Sequence, residues 1–454
     1  METRDLSTIV KAYDVRGLVP EDLDEQIARD LGAAFAQFMR ARAIVTAHDM
    51  RESSIPLSRA FAEGVLSQGV DVVETGLGST DMLYFASGSL DLPGAMFTAS
   101  HNPARYNGIK LCRAGAAPIG ADTGLREIQR LAEAGPLQPG QRLGVARTQD
   151  LLGNYAELLR GLVDLRGNRR LIVVVDAGNG MGGHTVPAVL ADLPLTVIPM
   201  YFELDGSFPH HEANPLDPAN LVDLRAKVRE VGADLGLAFD GDADRCFVID
   251  ETGEPISPSA VTALVAVREL AKHPGEVIIH NLITSRAVPE IVAEHGGRPV
   301  RTRVGHSYIK AEMARTDAVF GGEHSAHYYF RDFWRADTGM LAALHVLAAL
   351  GEQDRPLSEL GAAFERYAGS GEINSTVEDP VGSCAAVEKE FADRPGVEID
   401  RLDGLTISFT DGSWFNLRAS NTEPLLRLNV EGRVLARMQQ LRDEVLEVIS
   451  DRTV

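Results

Sequence analysis

Short, nearly continuous apolar runs alternate along this chain with longer stretches in which apolar positions recur every three or four residues. Residues 43–47, 171–175, 235–239 and 277–279 are runs of the first kind. Their length and lack of polar alternation predict strands covered on both faces. Residues 23–39, 221–231 and 340–350 carry the helical period and predict amphipathic or buried helices. Strand and helix signals in alternation favour α/β layers. Polar or turn-rich stretches at 138–144, 252–258 and 368–383 read as boundaries. They divide the 454 residues into four units, 1–145, 146–255, 256–368 and 369–454. The first three have similar sizes and an α/β pattern, with no sequence repeat behind the similarity. The last is smaller, reads strand, loop, strand, helix, and is expected to be α+β.

Charge narrows the class of partner. The net charge is −21, which argues against nucleic acid or an acidic membrane surface. An acidic protein that takes an anionic ligand needs a local basic pocket for it. Six lysines stand against 38 arginines, and two of the six, Lys110 and Lys310, fall within the motifs below. They suggest places where a deprotonatable amine is useful. Three scattered cysteines (Cys112, Cys246, Cys384) suggest neither a disulfide framework nor a zinc site. The first residues lack a signal-peptide pattern, and no apolar run approaches the ~20 residues of a membrane span. A cytoplasmic protein is expected.

Four stretches carry chemistry. In Thr98-Ala99-Ser100-His101-Asn102-Pro103 a hydroxyl stands beside an imidazole, in a polar turn just after the largely apolar residues 92–97. A small molecule can reach a serine so placed. Asp240-Gly241-Asp242-Ala243-Asp244-Arg245 follows the apolar run 235–239. If the segment stays extended, its carboxylates at i, i+2 and i+4 share one side, where they repel unless a cation neutralises them. Oxygen ligands of this kind suit Mg²⁺. An EF-hand loop is the competitor, and it fails because Arg245 replaces the required Gly and 246–249 reads as a strand. Gly321-Gly322-Glu323-His324-Ser325-Ala326-His327 offers groups that hydrogen-bond sugar hydroxyls. Arg418-Ala419-Ser420-Asn421-Thr422-Glu423-Pro424 sets a guanidinium beside small hydrogen-bonding residues, which suits a phosphate dianion.

In this order the four motifs resemble the α-D-phosphohexomutase family, and within it the phosphomannomutase/phosphoglucomutase branch. The resemblance extends to Tyr13-Asp14-Val15-Arg16-Gly17, Tyr106-Asn107-Gly108-Ile109-Lys110 and Thr302-Arg303-Val304-Gly305-His306, so it covers essentially the whole chain. One departure is Ala326, where the family usually has Gly. The resemblance implies three similar α/β domains and a smaller C-terminal α+β domain around a central cleft, each lending one loop. Ser100 would be phosphorylated, with Ser100, Asp240, Asp242 and Asp244 as ligands of Mg²⁺. Arg245 would steady the phosphate, and His101 and Lys110 would handle protons, with His306 and His327 as further candidates. Tyr13, Arg16, Gly305, Lys310, Glu323 and Ser325 would bind substrate, and Arg418, Ser420, Asn421 and Thr422 would grip the phosphate that does not react. Glu323-His324-Ser325 and Asn421 fit the mannose/glucose branch better than the glucosamine one.

The implied reaction is reversible isomerisation of hexose 6-phosphate and hexose 1-phosphate, mannose preferred and glucose possible, through phosphoserine and a hexose 1,6-bisphosphate that also activates. Because one clamp must accept either phosphate, a mobile last domain is expected. The partner would be a sugar phosphate, with no nucleic acid or membrane, and the chain a monomer or weak dimer. Two other readings stand beside this one. A metal-dependent sugar phosphatase would use the same serine and release phosphate to water. An NAD-dependent dehydrogenase is suggested by the G-x-G-x-x-G at 178–183, although Asp205 does not clearly end a second strand.

Overall fold

A computed structural model describes residues 5–135, 137, 140, 142–419 and 425–450. The four apolar runs form the strands Ala43–His48, Leu171–Asp176, Leu235–Phe239 and Val277–Asn281, buried except at His48 and Ile172. The helices expected from periodicity span Glu25–Met39, Val222–Val231 and Gly339–Gly351. The first begins two residues later than its pattern because the Asp24 carboxylate accepts from the Ile27 N–H and caps it. A single 3₁₀ turn, Pro218–Leu221, leads into the second, and Thr338 caps the third.

Four sheets result. The first has six strands in the order Val15–Leu18, Tyr106–Cys112, Gly94–Phe97, Ala43–His48, Asp71–Leu77 and Ala146–Thr148. Its last strand lies wholly past residue 145, so the first sheet borrows three residues from the segment beyond the expected boundary. The second sheet centres on Leu235–Phe239 and Leu171–Asp176, and the third on Val277–Asn281 and Phe320–Gly322; each has five strands. All three mix parallel and antiparallel pairs. The fourth is antiparallel throughout, with the helices Pro380–Ala392 and Leu435–Ser450 packed on it.

One expectation about the last unit is corrected. Within 368–383, read as a boundary, Ala368–Thr376 is a nine-residue strand paired with Leu425–Gly432, and a helix starts at Pro380 under an Asp379 cap. The unit therefore runs strand, helix, four strands, helix. Ala368–Thr376 lies at the sheet edge, where one side is unpaired and exposed, so Gly, Ser and Asn are tolerated and the apolar signal is weak. One continuous apolar cluster joins parts of the first three units, from Ala43 to Leu360, whereas the fourth keeps its own, from Val377 to Ile449.

Strand ends place the chemistry. The first two motifs begin directly after the strands Gly94–Phe97 and Leu235–Phe239, and the last two at the final residues of Phe320–Gly322 and Trp414–Ala419. Loops at the carboxyl ends of strands are where open α/β sheets collect ligands.

Candidate active site

Ser100 is 5% exposed and has φ of 50°, a left-handed conformation rare for serine. Its N–H donates to Thr98 Oγ1 at 2.9 Å, and its hydroxyl donates to Asp240 Oδ2, also at 2.9 Å. The Arg245 guanidinium lies 3.4 Å from the same hydroxyl and His101 Nδ1 3.3 Å from it. Two loops 140 residues apart thus meet on one oxygen. The close approach depends on Gly241, where a Cβ would come within 2.4 Å of the Ser100 carbonyl. Burial first, then the charges of Arg245 and Arg16, holds the His101 pKa well below that of an ordinary histidine. His101 is therefore a neutral imidazole whose Nδ1 accepts from Arg245.

The aspartate loop is not extended. Ala243 has φ of 57° and its N–H donates to the Asp240 carbonyl, so a tight turn, and not strand alternation, brings the carboxylates together. All three are buried, with ligand atoms within 4.8 Å of one another. Lys110 reaches Asp242 and Asp244 at 2.7 Å each. Burial alone would lower its pKa, but the two carboxylates outweigh this and raise it. The sequence suggested a deprotonatable amine here; the structure holds an ammonium, which donates and does not accept. Burial works against ionisation of Asp242 too, and Lys110 reverses it, holding this carboxylate low, with a further hydrogen bond from Thr80 Oγ1 at 2.5 Å. Asp240 is shifted upward, by burial and by the neighbouring Asp244 and Asp242.

On the third unit, Glu323 accepts from Asn281 Nδ2, the Gly305 N–H, Ser325 Oγ and the Tyr329 hydroxyl at 3.1–3.3 Å. The carboxylate is fixed by four donors from the protein itself. Gly305 starts the helix His306–Thr316. The His306 ring packs 4.7 Å from Tyr13 of the first unit, and burial pushes its pKa down to about 3. Arg16 donates to Asn102 Oδ1 at 2.6 Å and pairs with Asp14. His327 Nδ1 lies 2.9 Å from Asp337 and 3.9 Å from Asp244; burial opposes its protonation, but these carboxylates raise its pKa. Lys310 is 4% exposed, pairs with Asp337 at 2.8 Å and lies 3.9 Å over the Tyr84 ring. It thereby ties the third unit to the first. Ala326 has φ of 67°, the conformation that the Gly usual in the family adopts without strain.

Arg418 donates to Glu372 at 3.1 Å, and Arg427 lies 3.4 Å from the same carboxylate. The Nε of each arginine is buried without a hydrogen-bond partner. Both line a cavity of about 690 Å³ between the second, third and fourth units, with His324 and Ser325 in its wall. Ser420, Asn421 and Thr422 lie outside the described residues.

Four domain profiles match in sequence order: those described as phosphoglucomutase/phosphomannomutase alpha/beta/alpha domains I (residues 7–138), II (154–253) and III (257–367), and the C-terminal domain (372–448). The chain belongs to the phosphoglucomutase/phosphomannomutase family. It is thus an enzyme with that family's architecture of three α/β domains and a C-terminal one. A phosphomannomutase of Escherichia coli K12 is 41% identical over 449 residues, covering 97% of this chain and 98% of its own. A Xanthomonas campestris protein named phosphohexose mutases is 40% identical over 437 residues, covering 96% and 97%. A crystal structure of a phosphoglucomutase/phosphomannomutase family protein from Burkholderia thailandensis superposes with a TM-score of 0.90 at 31% identity, covering 98% and 97%.

Membership makes the glycine-rich turn at 178–183 intelligible without a nicotinamide. A Cβ on Gly180 would lie 2.7 Å from the Gly241 carbonyl, and one on Gly183 2.2 Å from that of Phe202. The Met181 N–H donates to the Gly241 carbonyl at 2.9 Å. The turn is a bracket for the aspartate loop, and its glycines answer the close approach of neighbouring backbone.

The aspartate loop fits a hard divalent cation. Asp242 Oδ1 and Asp244 Oδ1 are buried with no hydrogen-bond partner, and the converging donors are all oxygen. Sequence reading missed several contributors: Arg51, Thr80, Asn281, Asp337 and Arg427. Asp49-Met50-Arg51 comes just after the predicted strand 43–47, much as the aspartate motif follows 235–239, and that position was the available signal. No helix among the described residues is long and apolar enough to cross a membrane.

Proposed function

We propose that this enzyme interconverts hexose 6-phosphate and hexose 1-phosphate, with mannose preferred and glucose accepted, through phosphorylated Ser100 and a hexose 1,6-bisphosphate. The observation that carries this reading is the single oxygen of Ser100, shared by Asp240, Arg245 and His101 within 3.4 Å. The mannose preference is supported by the full-length relatives named phosphomannomutase at about 40% identity.

In the forward step the phosphorus–oxygen bond to Ser100 breaks, and a new one forms to a sugar hydroxyl. The proton that hydroxyl loses is balanced by the one Ser100 Oγ regains. The Asp240 carboxylate, 2.9 Å from the oxygen, and the neutral His101 imidazole, 3.3 Å from it, are the groups beside it that can exchange a proton, while Lys110 and Arg245 hold positive charge against the transferring group. Asp240, Asp242 and Asp244, with an oxygen from Ser100, would hold Mg²⁺, which when bound neutralises charge on the phosphoryl oxygens. Glu323 and Ser325 face the ring hydroxyls, and Arg418 and Arg427 have donors free for the remote phosphate. After the bisphosphate reverses end for end, the other phosphate returns to Ser100. The separate core of the last unit suits a body that shifts to clamp either end.

The test is a coupled assay with mannose 1-phosphate and glucose 1-phosphate, Mg²⁺ and a trace of hexose 1,6-bisphosphate. Both should isomerise, mannose 1-phosphate with the higher kcat/KM. Release of free phosphate without isomerised product from either sugar would sink the proposal.

A further inference from the structure

We infer that Arg51, seated on Phe208, is a positioning residue that sets the Ser100 oxygen against the aspartate triplet and thereby sets the rate of phosphoryl transfer to and from that serine. The inference rests on the phosphoserine reading above.

Arg51 follows the strand Ala43–His48 and is 1% exposed. Each of its guanidinium nitrogens is committed. Nη1 donates to the carbonyls of Pro103 and Tyr106 at 2.9 and 3.0 Å. Nη2 donates to those of Ser100 and Asn102 at 2.9 and 2.7 Å. Nε pairs with Asp49 Oδ2 at 3.2 Å, and Asp49 is held in turn by the Ser54 hydroxyl at 2.6 Å. One planar cation thus gathers four carbonyls of the segment that carries the serine. A fork of fixed geometry does this; a point charge on a flexible stem does not. The gathering matters because the left-handed φ of Ser100 must be imposed from outside.

The clamp does not belong to the first unit alone. The guanidinium lies 5.0 Å over the Phe208 ring, and Gly206 lets the chain pass so close that a Cβ there would meet Arg51 Cα at 2.6 Å. The same second-unit segment ends at Ala213, against which Gly178 and Gly241 pack. His211 Nε2, 3.0 Å from Asp176, and the Asp205 N–H, donating to Asn179, anchor it to the strand behind the aspartate loop. One segment therefore touches both the residue that shapes the serine loop and the loop that carries the aspartates. The Ser100 carbonyl is pinned between Arg51 and Gly241.

The test compares Arg51→Lys, which keeps the charge beside Asp49 but lacks the fork, with Phe208→Leu, which leaves every hydrogen bond in place. For Arg51→Lys, kcat with mannose 1-phosphate should fall about 100-fold, since a displacement near 1 Å carries a penalty of that order. KM should stay within about threefold, since no contact to substrate is removed. Phosphate uptake by Ser100 from glucose 1,6-bisphosphate, followed by intact mass after rapid quench, should slow by the same factor as kcat. Phe208→Leu should show the same pattern at about tenfold, and it decides alone if Arg51→Lys does not fold. Unchanged kcat in the folded variants, with or without a lower Tm, would mean the arginine only stabilises and would overturn the inference. So would a rise in KM alone. Normal uptake by the wild type beside unaltered variants refutes positioning only, whereas no uptake by the wild type refutes the phosphoserine reading and the positioning role together.

Discussion

The half of the site built by the first two units differs in kind from the half built by the last two. Around Ser100 and the aspartates, polar groups are buried and paired across units: Lys110 bridges Asp242 and Asp244, Thr80 braces Asp242, and Arg245 reaches the Ser100 hydroxyl at 3.4 Å. On the other side, Arg418 and Arg427, in the wall of the cavity between the last units, are paired to Glu372 of their own unit and still carry unpartnered Nε groups. The Ser100 half is closed by its own ion pairs, whereas the arginine pair of the fourth unit keeps donors open. Transition-state stabilisation requires dipoles fixed beforehand, whereas recognition of a phosphate that arrives in two orientations tolerates groups that settle on binding.

Substitutions should separate the halves. Ser100→Ala is expected to reduce kcat by about a thousandfold or more, with no phosphate gained from the bisphosphate; undiminished turnover would remove the nucleophile from the account. Asp242→Asn should lower kcat about 100-fold and abolish the rise in Tm that Mg²⁺ gives the wild type, because cation binding then no longer favours the folded state. An intact Mg²⁺-dependent rise in that variant would place the ion elsewhere.

A stability measurement probes the recognition half. His280, whose neighbour Asn281 holds Glu323, is kept neutral by burial, with its pKa lowered from 6.5 to about 4. Between these values the unfolded chain binds the extra proton. The contribution is therefore complete above pH 6.5 and is lost as pH falls toward 4, by up to about 3 kcal/mol. Urea unfolding across this window should show the slope, and His280→Asn should flatten it; identical slopes in both proteins would remove the residue from the balance. The smallest effects belong to the clamp. Arg418→Ala should raise KM about tenfold with kcat nearly unchanged, the size of one charge-assisted contact, while Glu372→Gln should lower KM by less than about threefold by releasing a competitor. A kcat loss in Arg418→Ala as large as that of Asp242→Asn would erase the distinction between the halves.

Much of this was legible beforehand. The apolar runs at 171–175 and 235–239 identified buried strands, and the polar loops directly after strands identified where chemistry collects. The edge strand Ala368–Thr376 escaped because its stability comes from pairing with Leu425–Gly432, and its own residues carry little apolar pattern. Arg51 escaped because its partners are backbone carbonyls of a loop about fifty residues on, which leave no mark in local composition. Lys110 was singled out but its protonation was misjudged, since that depends on two carboxylates of another unit.

By itself, then, the order of residues determined the layer architecture, the loops and the kinds of functional group each loop supplies, because periodicity and turn chemistry act over a few residues. Only the folded arrangement decided which groups share an oxygen, which cations are locked and which donors remain free. Charge and burial act through space over a few ångströms, and residues that set them here, Asn281 with Glu323 and Ser100 with Asp240, lie 42 and 140 positions apart.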